Sequence, residues 1–143
     1  AKSTCKRAAM LRYLLDTNIV SALLREPHGP VFERIRAVGE ANVCTSVVVS
    51  SELRFGAAKR GSARLSAQLE AVLSALDILP LEPAIDAVYA ETRWRLEQRG
   101  TPVGANDLFI AAHALLLECV LVTDNEREFR RIEGLLVENW LRS

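Results

Sequence analysis

The sequence predicts an α/β fold: a single domain with a mostly parallel central sheet of about five strands, flanked by helices on both faces. Three observations predict it. Short apolar runs alternate with longer helical patterns from residue 12 to residue 138. The run Val120-Leu121-Val122-Thr123 shows no polar alternation, as expected of a strand covered on both faces. Residues 104–118 carry Leu108, Phe109, Ile110, Ala111, Ala112, Ala114 and Leu115, a helix apolar nearly all round and therefore buried on more than one side.

The elements follow in order. Residues 12–15 form the first strand. Thr17 or Asn18 caps a short helix over 19–24. Residues 25–30 form a loop, because Pro27, Gly29 and Pro30 interrupt the chain. Pro30 suits the first turn of a helix to about Val38, with Val31, Ile35 and Val38 on one face. A second strand covers 42–45 and ends near Ser46. Val47, Val48 and Val49 favour strand by propensity, but the helical content after them places a helix from about Val48 to Lys59. Ser62 caps the next helix, to Leu76, with Leu65, Leu69, Val72, Leu73 and Leu76 at helical spacing. Residues 77–79 form a third strand and 80–83 a turn. A long helix over 84–99 turns Ile85, Val88, Tyr89, Thr92 and Leu96 inward; Gly100 ends it and Pro102 prevents its continuation. After the apolar helix come a fourth strand at 120–123, a short helix at 126–131, a fifth strand at 135–138, and Trp140, which closes the core.

With 143 residues the chain has the size of one domain with a real core. The domain is expected over 10–143. Residues 1–9 are basic and polar, lack the apolar stretch of a signal peptide, and read as a disordered or vector-derived extension ahead of Met10. No apolar run is long enough to span a bilayer, so no membrane partner is expected. The formal net charge is zero, which argues against strong non-specific nucleic-acid binding by the whole surface but leaves room for a local basic patch. Cys5, Cys44 and Cys119 are widely spaced and odd in number. They indicate a reducing, cytoplasmic setting, with Cys44 and Cys119 as small core residues.

Four polar groups interrupt apolar runs in equivalent places. Asp16 ends the first strand, Glu52 lies on the helix after the second, Asp107 lies in the first turn of the apolar helix, and Thr123-Asp124-Asn125 ends the fourth strand. In an open parallel sheet, strand carboxyl ends and the helix starts that follow share one edge, and sites form in the crevice there. Carboxylates gathered there repel unless a cation sits between them. Oxygen donors in that number suit Mg²⁺ or Mn²⁺, and no His/Cys cluster argues for zinc. Such a site can activate water for in-line attack on a phosphodiester. Each group also has an ordinary explanation. Asp16 can cap a helix, Glu52 can be a surface acid, Asp107 can answer the helix dipole, and residues 123–125 can be a turn.

The words Leu14-Leu15-Asp16-Thr17-Asn18, Ser51-Glu52-Leu53, Gly104-Ala105-Asn106-Asp107-Leu108, Leu121-Val122-Thr123-Asp124-Asn125 and Val137-Glu138-Asn139-Trp140 together resemble the PIN-domain family, and within it the VapC toxins of bacterial toxin–antitoxin pairs. The resemblance implies a Mg²⁺- or Mn²⁺-dependent ribonuclease that forms a homodimer and is blocked by a small antitoxin protein. It implies that Asp16 and Asp107 are the main metal ligands and that Glu52 is a further ligand or orients the nucleophile. The fourth family position falls on Asn125, with Asp124 as its neighbour; Asp124 points to the other side if the strand persists. Thr17, Ser46 and Thr123 are expected to hydrogen-bond ligands or waters.

His113 lies six residues past Asp107, about 600° of helical rotation, and so on another face, where it packs rather than acts as a base. His28 is a solvated loop residue. Arg54, Lys59, Arg60 and Arg64 cluster, as do Arg127, Arg130 and Arg131. They form either solvated helix faces or a phosphate track, with Arg54, Arg127 and Arg130 as the RNA contacts. Two other functions compete with the nuclease. A dimeric RNA- or protein-binding module that does not cut would explain Asn125 in an acid's place. A phosphatase of the haloacid-dehalogenase kind fits poorly, because Asn18 stands where that chemistry needs an aspartate.

Overall fold

The computed structural model describes residues 11–142. The expected extension at 1–9 and the domain start at Met10 lie outside the described residues. Five strands form one all-parallel sheet: β1 (Tyr13–Leu15), β2 (Val43–Ser46), β3 (Asp77–Leu79), β4 (Val120–Val122) and β5 (Val137–Glu138), in the order β3-β2-β1-β4-β5. The helices among the described residues are α1 (Thr17–Arg25), α2 (Pro30–Val38), α3 (Val47–Arg60), α4 (Ala63–Ala75), α5 (Ile85–Gln98), α6 (Ala105–Leu116) and α7 (Glu126–Phe129). Every residue of β2 and β4 is buried, so helices cover both faces of the sheet.

The order of strands fixes where a site can form. From β1 the chain builds outward through β2 to β3, then returns to the other side for β4 and β5. The reversal falls between β1 and β4, and the crevice beyond the carboxyl ends of those two strands is the binding position of an open α/β sheet. Register brings the ends level: Leu15 pairs with Thr45 on one side and with Val122 on the other. Asp16 and Thr123, which follow β1 and β4, and Ser46, which ends β2, therefore lie at one edge.

Four differences from the expected boundaries have local reasons. Helix α1 begins at Thr17 rather than Ile19, because Asp16, in extended conformation, caps it by accepting the Thr17 N–H. Helix α3 begins at Val47, directly after Ser46, whose hydroxyl accepts the Val48 N–H. That cap overrides the strand propensity of three successive valines. The segment at 126–131 is helical only to Phe129, and the fifth strand shrinks to Val137–Glu138 after a turn through Gly134, whose φ of +84° suits glycine. Trp140 is buried and packs on Tyr13, closing the core as expected.

The core runs through the sheet centre. Leu14, Leu15, Ile110, Leu121 and Val122 are all inaccessible to solvent. Leu121→Ala is expected to cost about 2–5 kcal/mol, the range for removing a fully buried aliphatic side chain. Urea denaturation at constant m-value measures this; a loss under about 1 kcal/mol would mean that the sheet centre is less tightly packed than described.

Candidate metal centre

Asp16 anchors the site. It follows β1 and is 4% exposed. One carboxylate oxygen accepts the Thr17 N–H at 2.7 Å and the other accepts the Thr123 hydroxyl at 2.7 Å. Thr123 in turn accepts the Asn125 N–H at 3.0 Å. Burial pushes the Asp16 carboxyl above its ordinary value; the bonds from Thr123 and Thr17 oppose that, and the charges of Glu52 and Glu128 reinforce it.

Glu52 comes from the second turn of α3. One of its oxygens accepts the Thr17 hydroxyl at 2.8 Å and the other accepts the Asn106 amide at 3.2 Å. Thr17 thus links Asp16 to Glu52, one by its backbone and the other by its side chain. Asp107 comes from the first turn of α6, where the dipole favours an acid. Its carboxyl is nonetheless pushed up to about 7, first by burial, then by a hydrogen bond with Glu128, then by the charges of Asp16, Glu128 and Glu52.

Glu128 is the residue that the sequence reading missed. It lies on α7, immediately beyond β4, within hydrogen-bond reach of Asp107. Its Oε1 atom is buried with no hydrogen-bond partner, which is costly for a carboxylate oxygen. No local signal points to it, because a helix of 4 residues is too short for periodicity to show which way Glu128 faces.

Of the two positions expected in the fourth corner, Asp124 is engaged elsewhere, whereas Asn125 stays beside Thr123 through its backbone N–H. Asp124 is exposed and accepts the Asn139 amide at 3.0 Å, with Arg142 at 3.7 Å, because the strand ends at Val122 and the chain turns away. Asn125 is exposed, and its side chain makes no hydrogen bond among the described residues. Thr17 and Thr123 do bond the acids. Ser46 does not: besides capping α3, its hydroxyl pairs with His113 Nδ1 at 2.8 Å. His113 is fully buried, its Nε2 lacks a hydrogen-bond partner, and burial lowers its pKa, so it is a packed residue on another face. Arg54 is engaged with Glu70 at 2.8 Å and 3.0 Å, and Arg130 with Glu126 at 3.1 Å, whereas Arg127 is exposed and forms no ion pair among the described residues.

Four acids therefore converge on one edge, and among the described residues no Lys or Arg pairs with Asp16, Glu52, Asp107 or Glu128. Nor do three of them already stand at the spacing that holds an ion. Mutual repulsion accounts for the spacing, and burial together with the neighbouring acids accounts for the proton that Asp107 keeps. The donor set is all oxygen, with one buried carboxylate oxygen unpaired. That chemistry fits a hard divalent cation.

A model of the PIN domain matches residues 13–135. The chain belongs to the PIN domain family. Ribonuclease VapC2 of Rickettsia felis is 35% identical to this PIN domain over 90% of the chain and 97% of the relative. The tRNA(fMet)-specific endonuclease VapC of Shigella flexneri is 36% identical over 92% of the chain and 99% of the relative. Among solved structures, VapBC2 from Rickettsia felis bound to a DNA fragment from its promoter superposes with a TM-score of 0.83 at 33% identity, covering 91% of this chain and 99% of the other. The parallel α/β architecture expected from the sequence is thus that of the family.

The raised Asp107 pKa has a consequence for stability. The folded protein holds a proton that the unfolded chain releases near 3.8, so this contribution is complete below pH 3.8 and lost as pH rises through about 7. In chelator, the urea midpoint is expected to fall between pH 5 and pH 8, and Glu128→Gln to flatten that dependence. A wild-type midpoint that rises over this interval would contradict the clustering of acids.

Proposed function

We propose that this PIN domain is a divalent-metal-dependent endoribonuclease, the toxin of a toxin–antitoxin pair. The observation that carries the reading is the convergence of Asp16, Glu52, Asp107 and Glu128 on the β1–β4 switch point, with the Asp107 carboxyl pushed up to about 7 by burial and by its neighbours. The VapC ribonucleases among its relatives support the substrate class. When bound, Mg²⁺ or Mn²⁺ supplies the positive charge that activates water and stabilises the attack on a phosphodiester.

The chain's own residues have separable tasks. Asp16 and Asp107 hold the ion, and Glu128 offers its unpaired oxygen beside them. Thr17 and Thr123 fix the Asp16 carboxylate in one orientation, so little reorganisation is needed on binding. Glu52, tied by Thr17 and Asn106, positions the attacking water. Asp107 must release its proton to serve as a ligand, so ion binding strengthens as pH rises through about 7. Arg127, exposed at the start of α7 beside Glu128, contacts the RNA backbone; Arg54 and Arg130 contribute less, being held by Glu70 and Glu126.

The partners in this reading are RNA, a second copy of the chain in a homodimer, and an antitoxin that covers the acids. The solved VapBC2 relative supports the antitoxin. The setting is the reducing cytoplasm, in keeping with the free, buried Cys44 and Cys119. A second reading, a PIN-like module that binds RNA or protein without cutting, is favoured by one observation: no three acids stand at ion-holding spacing among the described residues.

Magnesium titration against a structured RNA, with and without chelator, separates the two readings. Cleavage that depends on Mg²⁺ or Mn²⁺ is expected; none at any concentration supports the binding module. Asp16→Asn and Asp107→Asn are each expected to reduce cleavage by more than about 100-fold with the fold retained, and Glu128→Gln by about 10- to 100-fold. Wild-type rates in the aspartate variants would remove the assignment. Arg127→Glu is expected to weaken RNA binding and its salt dependence, and unchanged binding would exclude that contact.

A further inference from the structure

A groove of about 340 Å³ opens from the Thr17–Glu52 hydrogen bond and runs between α1, α3 and α4. Its floor is aliphatic, formed by Leu24, Leu53, Leu65 and Leu69. Arg25 and Arg60 line its other end. The helices place them there. Arg25 follows Thr17 by eight residues on α1, and Arg60 follows Glu52 by eight on α3. Eight residues of α-helix rise roughly 12 Å and pass two full turns by roughly 80°, so each arginine stays on the groove side of its helix. Two parallel offsets thus start from one hydrogen-bonded pair beside the acids and end at two cations.

Both arginines are exposed, and neither forms an ion pair among the described residues. Arg54 and Arg130 are each engaged by a carboxylate, so the unpaired cations nearest Glu52 along this groove are Arg25 and Arg60. Each sits in the last turn of its helix, where a cation is stabilised and where its side chain extends past the helix end. A guanidinium without a carboxylate partner presents a fork suited to phosphate.

We propose that Arg25 and Arg60 clamp the substrate strand, holding a phosphate of single-stranded RNA roughly 12 Å along the chain from the scissile bond. The inference rests on the reading of the acids as an RNA-cutting site and adds where the strand runs. A strand whose scissile phosphate lies at the acids can follow the groove because the groove begins at Glu52, one of those acids. The acids repel RNA, and the two arginines restore attraction on the same track. The aliphatic floor accepts the face of an unstacked base without reading its sequence. Gly56 lines this floor, and a Cβ there would meet no atom within 4 Å, so the floor is open enough to admit a base. The alternative occupant is an acidic, amphipathic segment of a partner protein; the position of the groove at the cutting acids favours RNA.

The test is fluorescence anisotropy in chelator, where no cutting occurs, with labelled single-stranded RNA of about 12 or about 3 nucleotides. The double variant Arg25→Gln/Arg60→Gln is expected to raise Kd for the longer RNA on the order of 10-fold near 0.1 M salt. It should lower the slope of log K against log[salt] by about 0.7, the increment for the one phosphate that the two arginines hold. Binding of the shorter RNA is expected to be unchanged, as is binding of either RNA by Arg99→Gln, which lines a separate cavity beside α5. Gly56→Leu, which fills the floor without changing charge, is expected to raise Kd for the longer RNA with no change of slope. Unchanged Kd and slope in the double variant would overturn the clamp. So would intact RNA binding combined with lost binding of the cognate antitoxin, which assigns the groove to a protein. The nuclease reading stands or falls separately, on whether the wild type cuts RNA in Mg²⁺.

Discussion

The hydrogen bond from the Thr123 hydroxyl to the Asp16 carboxylate, at 2.7 Å and buried, is the constraint on which the site depends. It joins the ends of the two strands that flank the topological switch point. A carboxylate that is 4% exposed is expensive unless donors meet it. Here two do, one of them the first N–H of α1. Asp16 therefore caps a helix and locks β1 to β4 while presenting its charge at the edge. The other groups are placed relative to it: Glu52 through Thr17, and Asp107 and Glu128 through the helices that arrive beside the same strand ends.

The arrangement sets electrostatics against packing. Asp107 stands where a helix start favours a negative charge, yet it keeps its proton up to about pH 7 because burial and three neighbouring acids outweigh the dipole. The buried, unpaired oxygen of Glu128 adds to the cost. Nothing in the packing of the core requires these four acids to meet. A fold that gathers them at its one available crevice gives up stability there, as functional sites commonly do.

Much of this was legible in the sequence because it depends on local pattern. The alternation of apolar strands and helices, the unbroken run at Val120–Val122 and the apolar helix around Ile110 were enough for a parallel sheet. Asp16, Glu52 and Asp107 stood out because each interrupts an apolar run at a predictable edge. The fourth acid did not, because Glu128 sits on a single helical turn with no periodicity to show which way it faces. The family resemblance pointed to Asn125, with Asp124 beside it, for the fourth corner; the strand ends at Val122, and the turn carries Asp124 toward Asn139. Ser46 was expected beside the acids from its place at a strand end. Its bond to His113, 67 residues away in sequence, comes from the packing of α6 and has no local signature. The same holds for the Arg54–Glu70 pair, which joins two helices.

Crystals soaked with Mn²⁺ at about pH 8, where Asp107 is ionised, test the metal centre most directly by anomalous scattering. An ion bound by Asp16 and Asp107, with Glu128 beside them, and lost in Asp107→Asn is the expected result. An empty edge at saturating Mn²⁺, in a preparation that still cleaves RNA, would contradict it.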